Sequence, residues 1–287
     1  MSDYFISTDS TYDMPESYRE EHNLLVHPLF YTINDSVYGG EHDMDIKEFY
    51  ARLRKGEIAT TMATNLEDAA ARFRAVLERG GDILHIGFSS ALSSSYNNAA
   101  VAAAELQKEF PERKIRCIDS LCASMGQGLL VHYAVQKRAE GMPIDELADW
   151  LEENKLHFCH QFTVDDLHFL QRGGRISKTV AVLGTMINVK PVLHVDNEGR
   201  LVPLKNVRGR RKALTALVDN MAEQIPGFRN DTIFISHGDC EEDARFVGKL
   251  VSERFGITDI RYNYVSPTIG SHSGPGTVAL FFVGKER

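Results

Sequence analysis

ILHIGFSSALSSSYNNAAVAAAELQKEFPERKIRCIDS, residues 83–120, decides the architecture of the first half of the chain. A continuous apolar strand (Ile83 to Phe88) is followed by a hydroxyl-rich loop (Ser89 to Ser95), an alanine-rich stretch of helical periodicity (Tyr96 to Phe110) and a second apolar strand (Ile115 to Ile118). Strands joined through a helix in this way run parallel, and the right-handed crossover lays the helix on a face of the sheet. Upstream, Tyr4 to Ile6 is a short strand running into the polar turn Ser7-Thr8-Asp9-Ser10-Thr11. Leu24 to Ile33 and the segment near Val37 and Tyr38 are separated by Asn34-Asp35, a hairpin signal. Thr64-Asn65-Leu66-Glu67 has capping-box spacing and opens a helix, Leu66 to Arg79, that stops at Gly80-Gly81. Downstream, Asp119 and Ser120 lead into a helix ending near Gly141-Met142-Pro143, and Ile144 to Lys155 forms another.

From Leu156 to Thr163 a strand crosses into a second unit. Pro191 to Val195 and Arg200 to Leu204 flank Asn197-Glu198-Gly199, a hairpin signal. A helix from Arg208 to Ile225 ends before Pro226-Gly227, and Ile233 to Ser236, Ala244 to Phe255, Asp259 to Tyr264 and Val278 to Val283 complete an α/β half whose hairpin makes its sheet mixed. The expected fold is therefore α/β with two domains: an N-terminal parallel-sheet, three-layer domain over 1–157, a C-terminal mixed-sheet domain over 158–287, and the ligand site between them.

The composition fits that picture and excludes several classes. The chain has 287 residues, 43% hydrophobic and 25% charged, enough to bury a sizeable core. A net charge of −8 argues against a nucleic-acid partner, apart from the local run Arg208, Arg210, Arg211 and Lys212. Cys117, Cys122, Cys159 and Cys240 form no C-x-x-C pair and read as reduced thiols of a cytoplasmic protein. No basic segment precedes an apolar run at the N-terminus, and no run of about 18 apolar residues occurs, so no stable membrane insertion is expected. Strand alternation puts His157 and Cys159 on one face and His160 on the other, so no metal site is read there. The nucleophile elbow, the phosphate loop, the dinucleotide fingerprint and the H-E-x-x-H pair are all missing.

Three loops of the first half are rich in hydroxyls and lie where open α/β sheets bind ligands: Ser7 to Thr11, Ser89 to Ser95 and Ser120 to Ser124. With the helix N-termini that follow, they can take an anionic head group near Ser93 and Ser94, or they are caps and turn formers only. Gly270-Ser271-His272-Ser273-Gly274-Pro275-Gly276 reads as a glycine-set loop that aims His272, either at an acid or at local backbone. Leu170 to Ser177 joins one short helix to another and carries Arg172 and Arg175, suited to carboxylate or phosphate oxygens or simply solvated. Val180 to Val189 is apolar on almost all sides and reads as core or as part of a tunnel wall.

The order Ser7-Thr8-Asp9-Ser10, Ser89-Ser90-Ala91-Leu92-Ser93-Ser94-Ser95-Tyr96, Asp119-Ser120, Ser124-Met125-Gly126-Gln127-Gly128, Asp165-Asp166-Leu167, Arg172-Gly173-Gly174-Arg175-Ile176, Lys190-Pro191, Val207-Arg208-Gly209, Ser236-His237-Gly238-Asp239 and His272-Ser273-Gly274-Pro275-Gly276 resembles the DegV family over nearly the whole chain. Characterised bacterial members of that family are fatty-acid-binding subunits of a fatty-acid kinase. The resemblance implies one long-chain fatty acid in a tunnel, its carboxylate held at the domain junction by Thr61, Ser93 and His272, with Ser94 as a neighbouring donor. It also implies a separate ATP-dependent kinase subunit that supplies ATP and metal and makes the acyl phosphate, with Arg175, and Arg172 beside it, contacting phosphate or partner. No catalytic residue, resident metal or cofactor of the chain's own is expected. Two departures are Thr61-Met62-Ala63, where Thr-Ser-Gln is frequent, and Ser273, where threonine is common. The competing readings are a stand-alone hydrolase or acyl transferase using a serine with His272, and a binding module for another anionic small molecule such as a sugar phosphate.

Overall fold

The computed structural model describes residues 4–177 and 188–287. Its strands are β1 (Tyr4–Asp9), β2 (Leu25–His27), β3 (Phe30–Ile33), β4 (Ser36–Tyr38), β5 (Ala59–Met62), β6 (Asp82–Gly87), β7 (Ile115–Asp119), β8 (Phe158–Thr163), β9 (Val189–Val195), β10 (Leu201–Arg208), β11 (Thr232–His237), β12 (Asp259–Tyr264) and β13 (Val278–Val283). The first sheet has the order β2-β1-β6-β7 and is parallel throughout. Along β6, Ile83 joins one apolar cluster, with Ala69, Phe73, Leu77, Ala99, Ala102 and Leu106 of the helices Leu66–Leu77 and Ser95–Glu109. Leu84 and Ile86 point the other way, into the cluster with Leu129, Leu130, Leu147 and Leu151 of the helices Met125–Ala139 and Ile144–Asn154. This two-sided burial explains why the strand reads as an unbroken apolar run.

The second sheet has the order β10-β9-β8-β13-β11-β12; only β11 and β12 pair in parallel, so it is mixed as expected. One of its faces carries Cys159, Val278, Leu280, Phe282, Ile233 and Ile235 and packs on the helices Arg210–Gln224 and Glu241–Phe255. The opposite face carries Phe158, Phe162, Phe234, Ala279 and Phe281, which share a cluster with residues of the first half. A pleat with opposite faces buried in two different places is what the alternation of side chains produces. All four cysteines are free, and Cys159 and His160 do point to opposite sides of β8.

Three expectations are corrected by the structure. The segment Leu24 to Ile33 is two strands: β2 belongs to the parallel sheet, Pro28 supplies no amide donor, and β3 joins a separate antiparallel sheet of order β4-β3-β5. The Asn34-Asp35 turn is where it was read, with both residues left-handed at φ 50° and 63°. The N-cap of the helix Leu66–Leu77 is Asn65, whose side chain accepts from Asp68 N at 2.7 Å; Thr64 Oγ1 is buried without a hydrogen-bond partner among the described residues. His272 sits not in a glycine loop but on a helix, Pro267–Ser273, that proline opens; the left-handed turn begins only at Gly274. Of Val180 to Val189, residues 180–187 lie outside the described residues and Val189 opens β9, and the helix expected after Ser177 also lies outside them.

Candidate functional site

A cavity of about 300 Å³ lies against the first-half-facing side of the second sheet, with Phe162, Ala279 and Phe281 among its apolar lining beside Phe88, Leu92, Leu170, Val195 and Leu201. Its lining grades from the exposed Met62 and Ser94 through the half-buried Thr61, Ser93, Arg175 and His272 to the buried Thr11, Ser124, His160 and Ser236. Among the described residues its lining therefore runs from a polar mouth to a buried inner end.

The mouth is assembled from four segments. β5 brings Thr61, the loop after β6 brings Ser93 and Ser94, the turn after the helix Leu167–Arg172 brings Arg175, and the helix Pro267–Ser273 brings His272. Thr61 Oγ1 and His272 Nε2 are 2.8 Å apart. Ser93 Oγ accepts from Ser95 N at 3.2 Å and is 3.0 Å from Ser95 Oγ. The loop is set by two buried or part-buried carboxylates: Asp9 accepts Phe88 N at 2.8 Å, and Asp119 accepts Ser90 N at 3.1 Å. The helix carrying His272 rests on Phe49 and Tyr50, where Gly270 leaves no room for a side chain, since a Cβ there would lie 2.6 Å from Tyr50 Oη.

His272 Nδ1 has no hydrogen-bond partner among the described residues and faces the backbone of Gly173, where a Cβ would lie 2.0 Å away. Burial, helped by the charges of Arg175 and Arg172, pushes the imidazole down to about 4, so it is neutral at pH 7. The guanidinium of Arg175 is committed to backbone: Nε and Nη2 donate to Leu92 O at 3.1 and 2.8 Å, and Nη1 donates to Gly173 O. Arg175 thus ties the residue before Ser93 to the residue under His272. Arg172 is exposed, its guanidinium 4.8 Å from the centre of the Phe169 ring, and it does not line the cavity.

The inner end contains groups that sequence reading did not assign. Ser124 Oγ donates to Asp13 Oδ2 and is 2.8 Å from Ser236 Oγ. Burial raises the Asp13 carboxyl to about 7, against the lowering effect of the Ser124 hydroxyl. His160 Nε2 accepts Ala123 N at 3.2 Å, and its Nδ1 donates to Phe158 O at 2.8 Å; desolvation holds it neutral. Of the three hydroxyl loops, each sends only part of itself to the cavity. Ser7 instead bridges His85 and His27 at 3.0 Å each, Thr8 donates to Ile86 O, and Ser89 donates to Gly199 O.

Ser93 is paired with Ser95 and His272 with Thr61, so the serine and imidazole do not form a nucleophile and base pair, and an imidazole held near 4 is a poor base at neutral pH. Among the described residues no cluster of His, Cys, Asp and Glu has metal-site geometry, and no helix is long and apolar enough to cross a membrane. The Arg210 charge is met by Asp243 at 2.8 Å and Asp165 at 3.5 Å, which breaks up the one basic run.

Comparison with known proteins agrees with this architecture. A DegV-domain protein of Clostridium perfringens is 39% identical over 100% of this chain and 99% of its own. A DegV family protein from Thermus thermophilus, described by its fatty-acid binding, superposes with a TM-score of 0.87 at 28% identity, covering 98% of this chain and 99% of that one. DegV of Bacillus subtilis, described as a fatty-acid-binding protein, gives 0.83 at 29% identity over 99% and 100% of the two chains. The family model described as "Uncharacterised protein, DegV family" matches residues 4–285, and the chain belongs to that family.

Proposed function

We propose that this chain holds one long-chain fatty acid in the cavity and presents its carboxylate to a separate ATP-dependent kinase subunit, which converts it to an acyl phosphate. The observation that carries the reading is a largely apolar cavity whose polar mouth sets Thr61, bonded to His272 at 2.8 Å, beside Ser93 and Ser94. The fatty-acid binding of the Thermus thermophilus and Bacillus subtilis relatives supports it. Each buried methylene contributes about 0.8 kcal/mol, so a tail of about 16 carbons gains on the order of 10 kcal/mol before ordering costs. A carboxylate without donors at that depth forfeits several kcal/mol, roughly, which makes hydroxyls and an imidazole at the mouth the complement the ligand needs. In this reading Thr61, Ser93, Ser94 and His272 hold the carboxylate, Arg175 and Arg172 face the phosphate and partner side, residues 1–157 and 158–287 are the two domains flanking the ligand, and the protein works in the cytoplasm without a cofactor of its own.

Native mass spectrometry of freshly purified protein, with solvent extraction of any lipid, tests the reading: one bound long-chain acid per chain is expected. Protein that is empty and takes up no labelled fatty acid ends it. Thermal-shift preference for sugar phosphates over long-chain acids ends it equally.

A further inference from the structure

The small sheet β4-β3-β5 has one covered face and one open face. Tyr31, Ile33 and Ala59 pack with Phe49, Tyr50 and Leu53 of the helix Ile46–Arg54, which covers the inner face. Alternation sends Phe30, Thr32, Val37, Thr60 and Met62 to the outer face, where Phe30 stands opposite Met62 and Thr32 opposite both Thr60 and Val37. Thr32 Oγ1 and Thr60 Oγ1 are 2.6 Å apart across it. The same alternation carries the face on to Ile58, one residue before β5. Val37, Ile58 and Met62 are 57%, 54% and 41% exposed, three of the six large apolar side chains left exposed among the described residues. Scattered apolar residues are ordinary on a surface, whereas three gathered on one sheet face mark a place where something binds.

Met62 also lines the cavity, next to Thr61, whose own side chain turns to His272. The open face therefore adjoins the mouth. Its surroundings are acidic: residues 28–68 hold eight carboxylates and four cations, half of the chain's net charge of −8. Asp35 in the β3-β4 turn, Glu41 after β4 and Glu67 in the first turn of the helix Leu66–Leu77 are exposed, and their side chains have no ion-pair or hydrogen-bond partner among the described residues. All four cations of the stretch lie on or at the end of the helix Ile46–Arg54, behind the inner face, and two of them, Arg52 and Arg54, are paired with Glu48 and Asp239.

The charge pattern decides between occupants. A second copy docked on the same face would set this acidic rim against itself, and an anionic lipid surface would meet the same repulsion. A protein whose apolar patch is ringed by Lys and Arg meets attraction instead. We propose that the outer face of β4-β3-β5, centred on Val37, Ile58 and Met62 and rimmed by Asp35, Glu41 and Glu67, is the docking surface for the kinase subunit, which presents an apolar patch with a basic rim. The inference rests on the kinase-partner reading above and adds to it where the partner sits. A subunit seated there lies over Met62 and beside a carboxylate held at Thr61.

Surface plasmon resonance of the fatty-acid-loaded chain against the kinase subunit of the same organism tests the assignment. Val37→Ser combined with Ile58→Ser is expected to weaken binding by about tenfold or more, and Asp35→Lys combined with Glu41→Lys to slow association and flatten its dependence on salt. Val101→Ser combined with Leu204→Ser, which alters exposed apolar residues away from this face, is expected to change affinity by less than about twofold. Melting temperature and fatty-acid occupancy by native mass spectrometry should be unchanged in all three proteins, since none of these side chains lines the cavity. Undiminished affinity in the Val37 and Ile58 variant, or an equal loss in the Val101 and Leu204 variant, overturns the docking surface and leaves the fatty-acid reading standing. Loss of self-association in sedimentation, or of binding to phosphatidylglycerol vesicles, while kinase affinity stays the same gives the face to a second copy or to a membrane and overturns the proposal equally. A kinase subunit that does not bind the unsubstituted, loaded chain overturns the kinase reading and the docking surface together.

Discussion

Gly173→Ala isolates what the packing under His272 does. Gly173 has φ −72° and ψ −8°, a right-handed conformation that alanine adopts freely, so the backbone imposes no penalty. Taken alone, the exchange stabilises by about 0.4–1 kcal/mol through the unfolded chain. The new methyl group, however, would stand 2.0 Å from His272 Nδ1 and 3.0 Å from Cε1, where contact normally begins near about 3.5 Å. The ring edge must therefore retreat by roughly 1.5 Å, which carries Nε2 out of the hydrogen bond it makes with Thr61 at 2.8 Å. Overpacking of this kind costs about 1–3 kcal/mol, more than the entropic gain, so the melting temperature falls despite a favourable backbone.

Misplacing a positioning group by about 1 Å costs on the order of 10²-fold in rate, and that is the loss expected in acyl-phosphate formation with the cognate kinase, followed by phosphate transfer from radiolabelled ATP. Retention of fatty acid, held by the apolar lining that Gly173 does not touch, is expected to fall by less than about tenfold. In a His272→Ala background the same substitution has nothing left to displace, so its effect on rate should vanish. A Gly173→Ala protein with undiminished acyl-phosphate formation, or one whose loss is unchanged by removing His272, refutes the claim that this glycine acts through the imidazole.

His272→Ala by itself should lower acyl-phosphate formation more than chain retention, since buried tail area supplies most of the affinity; equal losses in the two assays contradict that division. The buried His85, pushed down to about 4 by desolvation against 6.5 in the unfolded chain, makes stability depend on acid. Its contribution is complete above about pH 6.5 and is lost as the pH falls toward 4, about 3 kcal/mol in all, read as a falling urea midpoint that His85→Gln flattens. Asp13 acts in the opposite sense: raised to about 7, its contribution is present at low pH and lost as the pH rises from near 4 to 7, so Asp13→Asn should flatten that limb in the same titration. The cap assignment is checked by a pair of variants, Asn65→Ala costing about 1 kcal/mol and Thr64→Val, which removes a buried unpaired hydroxyl, costing nothing or stabilising.

The parts of the fold that were legible in sequence are those in which a strand is buried on both faces. Ile83 to Phe88 and Ile115 to Ile118 announce themselves because neither face of the first sheet tolerates a polar residue for long. β5 escaped because Ala59-Thr60-Thr61-Met62 is four residues at the edge of a small sheet, half exposed, with no apolar alternation to betray it. The helix bearing His272 escaped for a different reason. Its sequence, Pro267-Thr-Ile-Gly-Ser-His-Ser273, contains two serines and a glycine that favour turns, and only its packing on Phe49 and Tyr50, some 220 positions earlier, tips it into helix.

The mouth and the inner end of the cavity were unequally visible, and the difference is one of topology. Ser93, Ser94, Arg175 and His272 were singled out from the residues themselves and Thr61 through the family resemblance, and the fold brings them to one cavity. Ser236 stood in one of the family motifs, Ser236-His237-Gly238-Asp239, but the motif gave it no role. It sits in a strand between Ile235, which packs on the helices of the second half, and His237, and only the pairing of β11 with β13 shows that its side of the sheet opens on a cavity rather than on a core. Asp13 is harder still: its φ of 53° turns it back beneath Ser124, whose own φ is 55°, so two left-handed non-glycine residues meet at one hydrogen bond. Such backbone is held only where surrounding packing over-determines it, and residues held at that expense gather at sites of function more often than in plain core. The strain at Asp13 and Ser124, the raised pKa of the Asp13 carboxyl and the contact of Ser124 with Ser236 thus meet at the buried end of the cavity lining, away from the mouth.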